Sequence, residues 1–263
     1  MQKIIQTEAY RVTLFIWIKN NISLTGLIEA GRNIFIYISK AAIVLILSIC
    51  CAYLFWKVRA WIPSATSHTY KNYAIMIDSI IVSPIPSVWL QQNLRCEFFD
   101  NFFRGVWASY GLVILFGSTF SFLIRAETKR HFCSVILTLL TGLVIHFIVP
   151  TQPPWMALDN VIRIKGEYFT NIDKNLTAAM PSIHQAIICL AGCLIWKYGF
   201  FAKLLSVSYN FIMLFALAYL GEHYVIDSIV GIIVAIQSWL ISNKIFNLFL
   251  PTCRVFSGMH VLI

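Results

Sequence analysis

Charge is scarce in this chain, and acidic charge scarcest: 263 residues hold 11 Asp and Glu against 20 Lys and Arg, so 12% are charged, where soluble domains run near roughly a quarter. With 59% of residues hydrophobic and a mean hydropathy of +0.77, water is excluded as the main solvent. A C-x-x-C pair, an H-E-x-x-H helix, an internal repeat and a low-complexity stretch are also missing. The first two absences remove the local signals of a zinc site and the third argues against a repeat architecture. The seven cysteines, Cys50, Cys51, Cys96, Cys133, Cys189, Cys193 and Cys253, sit mostly within apolar runs and read as small packing residues. Met1 to Ala9 includes Gln2, Lys3, Gln6 and Glu8, so no cleavable signal pattern opens the chain and the first span is expected to start insertion.

What is present is a series of apolar runs separated by short polar loops. A helix needs about 20 residues to cross the hydrocarbon core, and six spans are predicted, at about 34–56, 104–124, 131–150, 183–199, 203–220 and 228–249. Ala41 to Leu47 is continuously apolar, whereas barrel strands alternate, so helices rather than a β-barrel are expected. The fold class read from this pattern is an all-α, integral membrane six-helix bundle. It is taken as a single domain, residues 1–263: an interfacial or cytoplasmic segment to residue 33, a catalytic bundle over 34–249 and a cytoplasmic tail over 250–263. Leu14 to Ile18 ahead of Lys19 suit an interfacial helix over residues 10–30. The segment 73–103 is apolar but broken by Pro84 and Pro86, and is expected as a short helical stretch along the outer face.

The net charge of +9 follows topology rather than a nucleic-acid surface. Arg125, Lys129 and Arg130 follow the second span, Lys197 and Lys203 the fourth, and the N-terminal segment carries Lys3, Arg11, Lys19 and Arg32. The positive-inside rule makes these loops and both termini cytoplasmic, which sets 151–182 and 221–227 on the outer face.

Two polar motifs open spans at that face: Pro181-Ser182-Ile183-His184 and His223-Tyr224-Val225-Ile226-Asp227. Ionisable groups at such depth are costly and mark a functional site by default. Ser182 is a good helix N-cap, with nearby backbone donors that favour an anion. His223 and Asp227 are one helical turn apart, so the carboxylate can accept the Nδ1 proton and leave Nε2 as a free nucleophile. Two histidines, one with an orienting carboxylate, at positive helix ends suit phosphoryl transfer. The same three side chains as a zinc set are the competing use, and a transporter or ion-binding protein the competing class; transporters often carry internal symmetry, and none is evident.

Ala179-Met180-Pro181-Ser182-Ile183-His184, followed 39 positions after its histidine by the His223 motif and preceded by Pro150-Thr151-Gln152-Pro153-Pro154-Trp155, resembles the type 2 phosphatidic acid phosphatase superfamily. More narrowly it resembles the inositol phosphorylceramide synthase-like branch, over roughly residues 75–250. The resemblance implies His223 as the nucleophile that forms a phosphohistidine, Asp227 as its orienter, and His184 as the acid that protonates the departing alkoxide. Ser182 and adjacent backbone donors would hold phosphate oxygens, without cofactor or metal. The substrate implied is a membrane lipid, a phospholipid with ceramide or a polyprenyl phosphate among the classes used. Departures are informative: Ile183 replaces the usual Gly, Ala216 and Leu217 replace Ser-Arg, and residues 145–155 contain no Lys or Arg. Arg163, Lys165 and Lys174 are the nearest replacements for the missing cations, and Trp155 is a further substrate-side candidate. A phosphodiester carries one negative charge where a monoester carries nearly two, so a cation-poor site fits a diester donor better than a lipid phosphate monoester.

Overall fold

The computed structural model of the chain describes residues 24–66, 68–123, 128–164 and 176–249. These are helical nearly throughout: α1 Leu24–Ala65, α2 Asn72–Ile81, α3 Pro86–Leu94, α4 Glu97–Leu123, α5 Thr128–Ile148, the single turn α6 Pro154–Ala157, α7 Ile183–Ile195, α8 Phe200–Tyr219 and α9 Val225–Phe249. Among the described residues there is no strand; Thr151 alone makes isolated bridges, to Tyr70 and Ala178. The expected interfacial helix falls mainly on residues 10–23, outside the described residues, as do Lys165, Lys174 and the tail from residue 250.

The chain divides into two compact units, up to Ile46 and from Leu47 onward. The described part of the first is the N-terminal half of α1, an apolar helix whose Ile34, Phe35, Ile38 and Ile43 are exposed. Everything below belongs to the second.

Each of the six predicted spans coincides with a helix, α1, α4, α5, α7, α8 and α9. Among the described residues four stretches are long and apolar enough to cross a bilayer, Gly31–Ala65, Arg130–Ile148, Phe200–Tyr219 and Val225–Ile245, or five if the bent pair Asn72–Ile81 and Pro86–Leu94 is one broken span. Exposed Leu140, Val144, Phe201, Leu205, Phe211, Ile233 and Leu240 on these helices are what a lipid-solvated surface requires, so the chain is an integral membrane protein. The fourth predicted span is shorter than expected. α7 starts at Ile183 as expected but has only 13 residues before its turn Trp196–Tyr198, about 20 Å of helix against a core of about 30 Å, because the backbone tightens at Trp196 and the turn ends at Gly199. The proline-broken segment forms α2 and α3, bent by 68° to one another; Pro86 stands at the start of α3, where its missing N–H costs no helical hydrogen bond.

Short α7 is the centre of this unit and packs against α4, α5, α8 and α9. Its fully buried Ile188 is closed by Met213, Leu217 and Tyr219 of α8 and Phe103 and Trp107 of α4, while Leu190 packs on the other side with Ala235 of α9. α3 covers α8, and α2 covers the beginning of α9. The starts of α7 and α9, the end of α8 and the α2–α3 pair thus meet at one end of the bundle.

Candidate active site

The two motifs meet at that end. Ser182 caps α7 as expected, its Oγ accepting from the Gln185 N–H at 3.3 Å. Its own N–H donates to the Asp227 carbonyl at 3.0 Å, which ties the start of α7 to the first turn of α9. The approach is close enough to require glycine at one position. A Cβ on Gly231 would lie 2.4 Å from the Ser182 carbonyl oxygen, inside any permitted contact.

His223 lies in the turn between α8 and α9, and the turn is shaped by Gly221, whose φ of 74° lies in the left-handed region and whose missing Cβ would meet the Ile162 carbonyl at 3.0 Å. Its Nδ1 is 2.8 Å from the Ala179 carbonyl. A carbonyl only accepts, so Nδ1 carries the proton and donates it, and in the neutral ring Nε2 keeps its lone pair. Nε2 faces His184 Nδ1 at 3.4 Å, a long contact between rings whose centroids are 5.6 Å apart. The pairing of the two histidines across the α7–α9 junction is what the spacing of the motifs predicts.

The expected direct bond from His223 to Asp227 is replaced. The Asp227 carboxylate stands 3.7 Å from His223 Nδ1, beyond hydrogen-bond reach, and its Oδ2 instead accepts from the Tyr224 N–H at 2.9 Å. The physical reason is the helix end: the carboxylate turns back to cap its own first turn, while the Ala179 carbonyl fills the Nδ1 position. The Asp227 side chain is fully buried, and at 3.7 Å its charge still bears on the imidazole.

A second carboxylate, absent from the sequence reading, completes this end. Asp78 of α2 is 1% exposed and accepts from the N–H groups of Val225 and Ile226 at 2.9 and 3.0 Å. Three donors at the start of α9 are therefore taken by Asp227 and Asp78. At the start of α7 the serine accepts from the third N–H, and the positive end of this helix lies next to the histidines.

The wall behind His184 is aromatic: Tyr110 meets it edge-on at 4.4 Å and Trp107 lies at 5.5 Å, both from α4. The segment carrying Ala179 is held by the earlier proline motif, with the Ala179 N–H donating to the Thr151 carbonyl at 3.1 Å. His146 of α5 donates from Nε2 to the Pro181 carbonyl at 3.2 Å.

Of the substrate-side candidates, Arg163 and Trp155 stand beside the His223 turn. Arg163 Nε donates to Glu222 Oε1 at 2.8 Å, and its guanidinium lies over the Trp155 ring at 4.6 Å. Trp155 is tied in by its backbone N–H, which donates to the Gly221 carbonyl at 3.2 Å. The pair Arg163–Glu222 adds little net charge to the site. Gln91 of α3 fixes the Arg163 loop, donating to the Ile162 and Tyr219 carbonyls, both at 2.8 Å, and accepting from the Ile162 N–H at 3.0 Å. Among the described residues no three metal-ligating side chains converge.

Fold and site define a helical, membrane-embedded pair of facing histidines backed by carboxylates. A family model of the PAP2 superfamily matches residues 86–241, and the chain belongs to that superfamily. It is similar to a phosphoinositol dihydroceramide synthase of Bacteroides thetaiotaomicron, 26% identical over 193 residues, and the match spans 64% of this chain and 62% of that protein's length. In fold it is similar to the crystal structure of Aquifex aeolicus LpxE, with a TM-score of 0.51 and 22% identity over 60% of this chain and 92% of the other.

Proposed function

We propose that this protein is a lipid phosphotransferase that moves a phospho-headgroup from a phospholipid onto His223 and then onto an alcohol acceptor. The observation that carries the reading is His223 itself: Nδ1–H committed to the Ala179 carbonyl at 2.8 Å, and Nε2 turned to His184 at 3.4 Å. In the first step the Nε2 lone pair attacks phosphorus, the bond from phosphorus to the lipid alkoxide breaks, and His184 gives that oxygen its proton. A phosphohistidine and a lipid alcohol result. In the second step the acceptor hydroxyl attacks phosphorus, His184 takes its proton, the N–P bond breaks and His223 is regenerated. The N–H groups of Ile183 and His184, with the Ser182 hydroxyl, hold the phosphate oxygens. Asp227 stabilises the positive charge that develops on His223.

The choice of a diester donor and an alcohol acceptor is supported by the poverty of cations. Arg163 is matched by Glu222, and a monoester near two negative charges would call for more positive charge than this pair offers. The similarity to the Bacteroides synthase points the same way, with a phosphoinositol donor and a ceramide-type acceptor as the substrates to try first. Arg163, Trp155, Lys165 and Lys174 are proposed on the substrate side. Hydrolysis of a lipid phosphate monoester, such as phosphatidic acid or a polyprenyl phosphate, is the second reading, favoured by the same histidine pair when water replaces the acceptor. An outer-face site and cytoplasmic termini are part of this proposal, supported by the loop charges.

The test is incubation of purified protein with headgroup-labelled phosphatidylinositol, with and without ceramide, beside labelled phosphatidic acid. Label moving to ceramide is the expected result, unaffected by EDTA; label released only from phosphatidic acid, as inorganic phosphate, replaces this reading with the second. Full activity in His223→Ala defeats both.

A further inference from the structure

Helix α4 carries one basic residue, Arg104, which the chemistry above does not use. It opens the second predicted span and is half-buried, at a depth where an ionisable group is costly and needs a partner. The partners it has are poor. Nη1 donates to the neutral Asn101 Oδ1 at 3.3 Å, and Nε is buried with no acceptor among the described residues. A buried donor left over on a charged group is expected where a ligand supplies the acceptor. The acids of the same helix lie toward its start: Glu97 is two turns away, and Asp100, one turn away, accepts from the Tyr219 hydroxyl of α8. The other Lys and Arg residues between Ala65 and the end of α4, Lys71 and Arg95, are exposed and sit at helix boundaries.

Position in the bundle says which acceptor. Asp100 meets Tyr219 at the end of α8, so α4 starts at the end of the bundle where α7 and α9 start. Trp107, three residues after Arg104 and its neighbour on the helix surface, lies 5.5 Å from His184. Arg104 therefore stands about 4.5 Å nearer the helix start, above the level of His184 and toward the positive end of α7. We propose that Arg104 is the cation that holds the donor phosphate, its guanidinium reaching past Trp107 to two phosphate oxygens while His223 Nε2 approaches phosphorus. The inference rests on the phosphotransfer reading and narrows it. Arg163 is matched by Glu222, so Arg104 brings one positive charge to the site, and a phosphodiester carries one negative charge. A planar guanidinium pairs with two oxygens at once, which fixes the orientation of the phosphate as well as its affinity. The cation that residues 145–155 lack is thus supplied by a different helix, outside every motif of the chain.

The experiment has two arms. The first needs no turnover: native mass spectrometry of the full chain carrying His223→Ala compares retention of phosphatidylinositol with that of diacylglycerol of the same acyl chains. Phosphatidylinositol is expected to be held roughly tenfold more tightly, the scale of one charge-assisted hydrogen bond. Adding Arg104→Gln removes most of that difference and leaves diacylglycerol retention unchanged, and Arg104→Lys, which keeps the charge, preserves part of it. The second arm is headgroup transfer with His223 in place. Arg104→Gln raises KM for labelled phosphatidylinositol roughly tenfold and leaves KM for ceramide unchanged, and added guanidinium ion restores part of the lost rate, which a purely structural role does not allow. Equal retention of the two lipids before Arg104 is changed, a difference that survives Arg104→Gln, or loss of both lipids together in Arg104→Gln and Arg104→Lys overturns the proposal. No transfer by the wild-type protein, with the first arm as expected, overturns the phosphotransferase reading and leaves Arg104 as a residue that binds a phosphodiester.

Discussion

Asp227→Asn separates charge from hydrogen bonding at the nucleophile. Asparagine preserves shape and can still accept from the Tyr224 N–H, so the first turn of α9 keeps its cap. The Nδ1–H of His223 stays bonded to the Ala179 carbonyl, so the tautomer that frees Nε2 is also kept. What disappears is a full negative charge 3.7 Å from Nδ1. A unit charge at that range is worth about 4 kcal/mol at an effective dielectric near 20 and about 1 kcal/mol in water. The imidazole gains its positive charge as the N–P bond forms, so the barrier rises by about 1–4 kcal/mol, a loss of roughly five- to a thousandfold in kcat. Had Asp227 been the sole holder of the Nδ1 proton, the wrong tautomer would cost nearer 10⁴-fold, roughly the loss seen when a catalytic triad loses its carboxylate. The assay is headgroup transfer by the purified variant, with thermal unfolding in detergent as the control. A change under threefold refutes the role of charge; inactivity equal to that of His223→Ala refutes the role of the Ala179 carbonyl.

Three further outcomes are expected. Asp78→Ala strands the buried N–H groups of Val225 and Ile226, costing about 1–3 kcal/mol each; thermal unfolding should show the loss, and Asp78→Asn, which keeps one acceptor oxygen, should recover part of it together with activity. Gly231→Ala drives a Cβ into the Ser182 carbonyl and pries α9 from the start of α7; an overpacking cost of about 1–3 kcal/mol is expected, with transfer falling further than Gly142→Ala makes it fall, because the Gly142 clash is with the mobile tip of Ile183. Arg163→Gln leaves the Glu222 carboxylate without its 2.8 Å partner beside the substrate phosphate; KM should rise, and the double variant with Glu222→Gln should bind substrate better than the single one.

The parts of this site that show in the sequence are those written by local rules. Ser182 after a proline and before an apolar run announces a cap, and the structure has the bond to Gln185. The distance between His184 and His223 equals one helix out and one back, which is why their side chains meet. The missing parts are long-range or carried by backbone. Asp78 reads as one polar residue in an apolar segment, and nothing near it in the chain says that it caps a helix starting 147 residues later. The Ala179 carbonyl has no side-chain signature at all, so a carboxylate one turn from His223 looked like the natural acceptor of its proton. Arg163 read as a spare cation because its partner Glu222 is distant in sequence; the pairing depends on Gln91 pinning the loop between them. The length of α7 was overestimated because Trp196 and Tyr198 prolong the hydrophobic stretch on either side of Lys197 while the backbone tightens into a turn and stops.

Rapid quenching of wild-type protein with headgroup-labelled donor, followed by peptide mapping under non-acidic conditions, asks whether the phospho-headgroup passes through His223. A labelled adduct on the peptide containing His223, formed no more slowly than lipid alcohol is released and discharged on adding acceptor, is the expected result. Label found on another residue, or turnover with no covalent protein species while His223→Ala remains active, contradicts it.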